Sequence, residues 1–165
     1  MQRLWHLSII GLVLTLVLAS APARAQSTKD GDSHFSRNAI YVEALGQGGI
    51  YSVNFDHRFT KEIGFRAGFT TWSWMTGLPL MINYLGPGPV DHFEIGIGAL
   101  VGLSTLNLPS PFENGLNRGH IIGTGTVGYR YQPDNGGLVF RLDFTPWFGY
   151  KYFEAWGGVS LGYAF

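Results

Sequence analysis

Trp156-Gly-Gly-Val-Ser-Leu-Gly-Tyr-Ala-Phe165 alternates strictly over its second half: Val159, Leu161, Tyr163 and Phe165 stand on one side, Ser160, Gly162 and Ala164 on the other. A period of two that stops on a terminal aromatic is the pattern of a closing strand in a transmembrane β-barrel, apolar towards lipid and small or polar towards the lumen. The same alternation recurs upstream. Tyr51, Val53, Phe55 and Phe59 oppose Ser52, Asn54, Asp56 and Arg58; Phe65, Ala67 and Phe69 oppose Gly64, Arg66, Gly68 and Thr70. Phe93, Ile95, Ile97, Ala99 and Val101 oppose Glu94, Gly96, Gly98 and Gly102, and Leu138, Phe140, Leu142 and Phe144 oppose Val139, Arg141, Asp143 and Thr145. With the looser segments Ala39 to Leu45, Leu78 to Leu85 and Ile121 to Tyr131, eight strands are expected. Their length, roughly nine to twelve residues, suits a tilted bilayer crossing.

Turn-forming clusters separate these segments. Gly46-Gln-Gly-Gly49, Thr60-Lys-Glu62, Gly86-Pro-Gly-Pro-Val-Asp91 and Gln132-Pro-Asp-Asn-Gly-Gly137 fall where hairpins are needed. An even strand count puts both termini on the periplasmic side. Gly46–Gly49, Trp74–Gly77, Leu106–Gly119 and Pro146–Glu154 are then expected as outward-facing loops. Leu106–Gly119, the longest, is the natural surface for a partner.

The N-terminus reads as a secretory signal peptide over residues 1–25: Arg3, an apolar run from Leu7 to Ala19, and the small-residue triplet Ala23-Arg24-Ala25 before Gln26. Residues 26–37 are polar and aperiodic, read as a flexible lead-in, and residues 38–165 form the barrel. The chain has no cysteine, which excludes disulfides and thiolate chemistry. Charge is balanced overall and slightly acidic once Arg3 and Arg24 are removed, which gives no footing for nucleic acid.

A soluble barrel would turn its apolar face into the cavity; a membrane barrel reverses this. Here the polar face is mostly Gly, Ser and Thr with isolated charges, too sparse for a surface in water. The apolar face is continuous, and Tyr51, Trp72, Trp74, Tyr129, Tyr131, Trp147 and Tyr163 are placed to form interfacial belts. The polar face therefore lines the lumen, and with it Glu43, Asp56, Glu94 and Asp143 against Arg58, Arg66, Arg130 and Arg141. Each base is an arginine, whose planar fork can be shared by two carboxylates. An unpaired charge in so narrow a space costs several kcal/mol, so a paired network is expected. It is read first as a structural filling of the lumen and second as a gated passage for ions or small solutes.

Catalytic and metal signatures are weak. His34, His57, His92 and His120 lack ligand spacing, and no metal or other cofactor is expected. His57 has no serine two residues along its face. His120 with Ser104, Ser110 and Glu113 assembles a triad only on paper, so a lipid-modifying enzyme ranks third. Gly123-Thr-Gly-Thr-Val-Gly128 has no following helix and is read as an inward-facing strand rather than a phosphate cradle.

Three blocks carry a resemblance: Gly128-Tyr-Arg-Tyr-Gln-Pro-Asp-Asn-Gly-Gly137, Phe140-Arg-Leu-Asp-Phe-Thr-Pro146, and Trp156 to Phe165. Together with Tyr51-Ser-Val-Asn-Phe55 and Arg66 they resemble a largely uncharacterised family of small outer-membrane β-barrel proteins of Bacteroidetes-type bacteria. The resemblance implies a fold and an address in the outer membrane of a Gram-negative cell, in contact with its lipids, and no activity. The C-terminus also resembles the signal read by the outer-membrane insertion machinery, with Tyr163 and Phe165 as its aromatics. Ser160 stands where that signal usually has glycine, and Gly158 where it prefers a polar residue.

Overall fold

The computed structural model describes residues 35–72, 75–103, 121–149 and 152–165. Eight strands, β1 (Asn38–Leu45), β2 (Tyr51–Arg58), β3 (Ile63–Trp72), β4 (Met75–Leu85), β5 (Asp91–Gly102), β6 (Ile121–Tyr131), β7 (Gly137–Gly149) and β8 (Tyr152–Ala164), pair with their neighbours in sequence order. Every pairing is antiparallel, and β8 returns to β1, so the sheet is a closed barrel.

The register sets the width of the tube. Followed across from strand to strand, Ala39 leads through Asp56, Arg66, Met81, Gly98, Thr124 and Trp147 to Glu154, whereas the direct partner of Ala39 on β8 is Ala164, a stagger of ten residues. Eight strands with that stagger tilt by roughly 40° and enclose a backbone tube about 8 Å in radius, which side chains can fill.

Burial follows the alternation with polarity reversed from that of a soluble protein. Arg66, Glu94, Arg130 and Arg141 are wholly buried (0 %), while Ile97, Ile82, Leu161 and Phe165 are 57 to 66 % exposed. Among the described residues, the outward strand positions carry no charge apart from Asp91 and His57 at the lower rim, the end where Asn38 and Phe165 exchange backbone hydrogen bonds. A strand of about ten residues at this tilt rises roughly 24 Å, matching an apolar band of about 25 Å.

The strands also run further than expected. β4 begins at Met75 and β7 continues to Gly149, with Pro146 paired to Ala155, so Trp74–Gly77 and Pro146–Glu154 are largely strand rather than loop. Proline is tolerated because its missing N–H faces one neighbour only. Pro79 leaves Gly68 and Phe69 unpaired between β3 and β4, yet pairs normally with β5; Pro146 leaves Gly125 and Thr126 unpaired between β6 and β7, yet pairs normally with β8. Continuing the alternation through Pro146 turns Trp147 inward, where it is buried, instead of into an interfacial belt. On β6 the inward residues are Thr124, Thr126 and Gly128, while Gly123 and Gly125 face outward, so only half of that glycine-rich stretch lines the lumen.

Gly46-Gln-Gly-Gly49 does turn the chain, but as a buried single 3-10 turn folded into the barrel instead of outward. Positive φ at Leu45, Gly46 and Gly49 bends the backbone back over the lumen. At the lower end Phe35–Arg37, the last part of the expected lead-in, is held in place: Ser36 N–H donates to Asp134 O at 2.6 Å and Arg58 N–H to Arg37 O at 2.6 Å. The signal peptide, most of the 26–37 segment and Leu106–Gly119 lie outside the described residues.

Candidate functional site: a charge network across the lumen

Glu94 on β5 is the hub. Its Oε1 accepts from Arg66 Nη2 at 2.6 Å and its Oε2 from Arg141 Nε at 2.8 Å, with Arg130 Nη1 at 3.7 Å. Asp56 on β2 accepts from Arg130 Nη1 at 2.8 Å and from the Tyr41 hydroxyl at 3.4 Å, and lies 3.9 Å from Arg66 Nε. Arg141 also pairs with Asp143 at 2.8 Å and lies 3.8 Å from Glu43. Glu43 accepts in turn from Ser52 at 3.1 Å. The guanidinium groups of Arg66 and Arg141 lie over the Tyr41 ring, 5.6 and 5.1 Å from its centroid, adding cation–π attraction.

Strands β2 and β6 stand on opposite sides of an eight-membered ring. The Arg130–Asp56 pair therefore crosses the tube. Room for the network's carboxylates comes from glycine beside them: a Cβ on Gly128 would lie 2.5 Å from Asp143 Oδ1, and one on Gly46 2.8 Å from Glu43 Cδ.

Seven of the eight charges expected in the lumen meet in this cluster, and Arg58 does not. It sits at the lower mouth, where Nη2 donates to Lys61 O at 2.8 Å and approaches Asp134 at 3.4 Å, with its guanidinium 4.9 Å from the Phe35 ring centroid. Arg58 ends β2 on the inward face, below the level of Asp56, so its nearest acid belongs to a turn. Lys61 reaches the same carboxylate at 3.1 Å. Asp134 N–H donates to Pro89 O at 3.1 Å and Gln132 N–H to Val90 O at 2.8 Å, lacing the lower turns together. His92 lies beneath, with its ring nitrogens 2.9 Å from Gly86 O and 3.2 Å from Gln132 O. An open cleft of about 320 Å³ lined by Lys61, Glu62, Gly86, Pro89, His92 and Asp134 marks this rim.

Tyr41, Gln47, Asp134 and His92 were not singled out as site residues from the sequence. Tyr41 was legible, since it shares the face of Glu43 on β1. Gln47 was not: its place depends on the inward fold of the turn, which brings Nε2 to Leu80 O at 3.2 Å and Oε1 to Arg66 Nη1 at 3.4 Å. Of the histidines, His57 lies at the lower rim, 2.8 Å from Asn38 Oδ1 and edge-on to Phe59; His34 and His120 lie outside the described residues. Of the two aromatics assigned to the insertion signal, Tyr163 is half-buried and Phe165 exposed on the apolar side. Among the described residues, no group of three or more His, Cys, Asp or Glu side chains is arranged to hold a metal ion.

No protein-family model and no curated protein sequence matches the chain. Among solved structures it is similar to the N-terminal β-barrel domain of Pseudomonas aeruginosa OprF, with a TM-score of 0.55, 14% sequence identity, and coverage of 78% of this chain and 98% of that one. At that identity the likeness is one of fold: this chain is a closed, eight-stranded antiparallel β-barrel of the outer-membrane type.

Proposed function

We propose that this chain is an integral barrel of the bacterial outer membrane whose lumen is a closed structural interior and whose biological work is done at its surfaces. The single observation that carries this reading is the Arg130–Asp56 ion pair, 2.8 Å long and joining opposite walls of the tube among buried side chains. A solute would have to break that pair and the Glu94 hub at the same level. Doing so leaves buried charges uncompensated, at a cost of several kcal/mol. The uncharged apolar exterior, its height and the signal-peptide pattern support the membrane address. Lipid contacts the outside, the insertion machinery acts during biogenesis, and the role is structural or one of surface interaction, with Leu106–Gly119 as the segment for a partner.

The test is single-channel conductance of the refolded chain in a planar bilayer, with folding verified by a heat-dependent shift on a denaturing gel. Silence from the folded barrel is the expected result. A stable conductance would overturn the closed lumen in favour of a narrow passage, and charge reversal at Glu94 would then shift its ion selectivity.

A further inference from the structure

Among the described residues, the outward strand positions carry one acid, and it stands without a base. Asp91 opens β5 on the outward face of the lower rim, and no described Lys, Arg or His pairs with it. His57 is three strands away on β2, 2.8 Å from Asn38. What surrounds Asp91 is aromatic. Tyr131 is its direct partner across β5 and β6, and Phe93, the next outward residue of β5, is opposite Tyr129. Tyr84 lies on the same face of β4, opposite Ile95. Phe93, Tyr129 and Tyr84 are all exposed.

The Tyr129 hydroxyl donates to Asp91 Oδ1, which holds the carboxylate against the ring-lined wall. Oδ2 has no protein partner among the described residues. An interfacial belt explains the tyrosines, since their rings are apolar and their hydroxyls wet. It does not explain the carboxylate. At headgroup level an unpaired acid is repelled by lipid phosphate and attracted to whatever cation the headgroup carries. Aromatic faces attract that same cation. Carboxylate and rings on one outward face therefore ask for a positive group, and Oδ2 with the free lone pair of the Tyr129 hydroxyl asks for one that can donate hydrogen bonds.

We infer that Asp91, Tyr129, Tyr131 and Phe93 form a headgroup site for a phospholipid ending in a primary ammonium, as phosphatidylethanolamine does. The ammonium donates to Asp91 Oδ2 and to the Tyr129 hydroxyl oxygen, and the acyl chains run up the outward face past Phe93 and Ile95. A quaternary choline group has no N–H to donate and is held less well. The inference rests on the outer-membrane reading above, because that reading puts headgroups at this rim. It gives the uniformly apolar exterior one place where the kind of lipid matters.

The chain has no cysteine, so Ile95→Cys takes a single fluorescent label beside the site. Val42→Cys, outward on β1 at the opposite side of the ring, takes the control label. The full chain is refolded into vesicles of equimolar phosphatidylethanolamine and phosphatidylcholine. A nitroxide that quenches the label is carried on the acyl chains of one lipid or of the other, and folding is verified by the heat-dependent gel shift.

At position 95 the labelled ethanolamine lipid is expected to quench more, corresponding to about a threefold preference, the scale of a charge-assisted contact at an exposed site. At position 42 the two lipids quench alike. Asp91→Asn brings the ratio at position 95 to one, and Tyr129→Phe lowers it, both with the heat shift intact. Equal quenching by the two lipids at position 95 would overturn the site and leave the membrane reading standing. The same ethanolamine preference at both positions would overturn it too, as general enrichment around the barrel. A preference that survives Asp91→Asn would overturn the carboxylate as the group that recognises the headgroup. A folded barrel with neither label quenched by either lipid would overturn the membrane reading itself.

Discussion

The two proline seams differ in what stands behind them. At the β3–β4 seam Pro79 points inward and fills its own gap: a Cβ on Gly68 would lie 2.9 Å from Pro79 Cγ. The inward-folded turn then seals it, with Gln47 bonded to Leu80 O, the next residue, and to Arg66 of the charge network. Thr70 Oγ lies 2.8 Å from Gly48 O and 2.6 Å from Tyr51 O, so its hydrogen has a carbonyl to meet. At the β6–β7 seam Pro146 points outward, and the polar groups behind it have no partners. The neighbouring turn and the ion pairs thus reach the first seam and not the second, although Asn54 Oδ1, which faces Gly68, is also buried without a partner. One residue of parity decides between them.

The largest effect is expected from Arg66→Ala, which strips the β3–β4 side of its link to Glu94 and Gln47. Leaving buried carboxylate charge uncompensated costs about 3–5 kcal/mol, read as a lower urea midpoint in the heat-shift assay. An unchanged midpoint would sink the view that the network holds the barrel together. Gln47→Ala comes next, at about 1–3 kcal/mol, because it removes the bond to Leu80 O and unsatisfies part of Arg66. If it proves neutral, the turn does not seal the first seam.

A matched pair of Thr→Val substitutions sharpens the comparison most directly. Thr70→Val should cost about 1 kcal/mol by leaving buried carbonyls without their donor. Thr145→Val should be neutral or slightly stabilising, since its hydroxyl is buried without a partner. Equal losses at both sites would erase the distinction between the seams. The smallest effect is expected at Leu45, held at φ 61° and ψ −156°, a region nearly reserved for glycine. Leu45→Gly should raise stability by about 1 kcal/mol or less, the relief of strain being partly offset by glycine's added unfolded-chain entropy. A clear loss would mean that the Leu45 side chain matters more than its backbone.

Alternation was enough to assign the faces of β2, β3, β5 and β7, because a period of two survives any register and any barrel width. It placed Arg66, Glu94, Arg141 and Asp143 on the lumen side before any pairing was known. It failed at Pro146, where a residue that usually ends strands hid three further residues of β7 and the inward turn of Trp147. It also failed at Gly46–Gly49, where positive φ angles, not hydrophobicity, decide which way a turn folds.

The pairing of the charges was beyond sequence for a different reason. Arg130 and Asp56 are 74 residues apart, and Arg141 and Glu94 are 47 apart. They meet only because the barrel closes with a particular stagger, which raises each strand relative to its neighbours and brings some inward residues level while separating others. That same geometry lowers Arg58 to the mouth and hands it to Asp134. The amino-acid pattern by itself determined an outer-membrane-type barrel, polar inside and apolar outside. Which charges meet across the lumen, and which seam the inward-folded turn reaches, was decided by register and closure, since those quantities exist only once eight strands have joined into a ring.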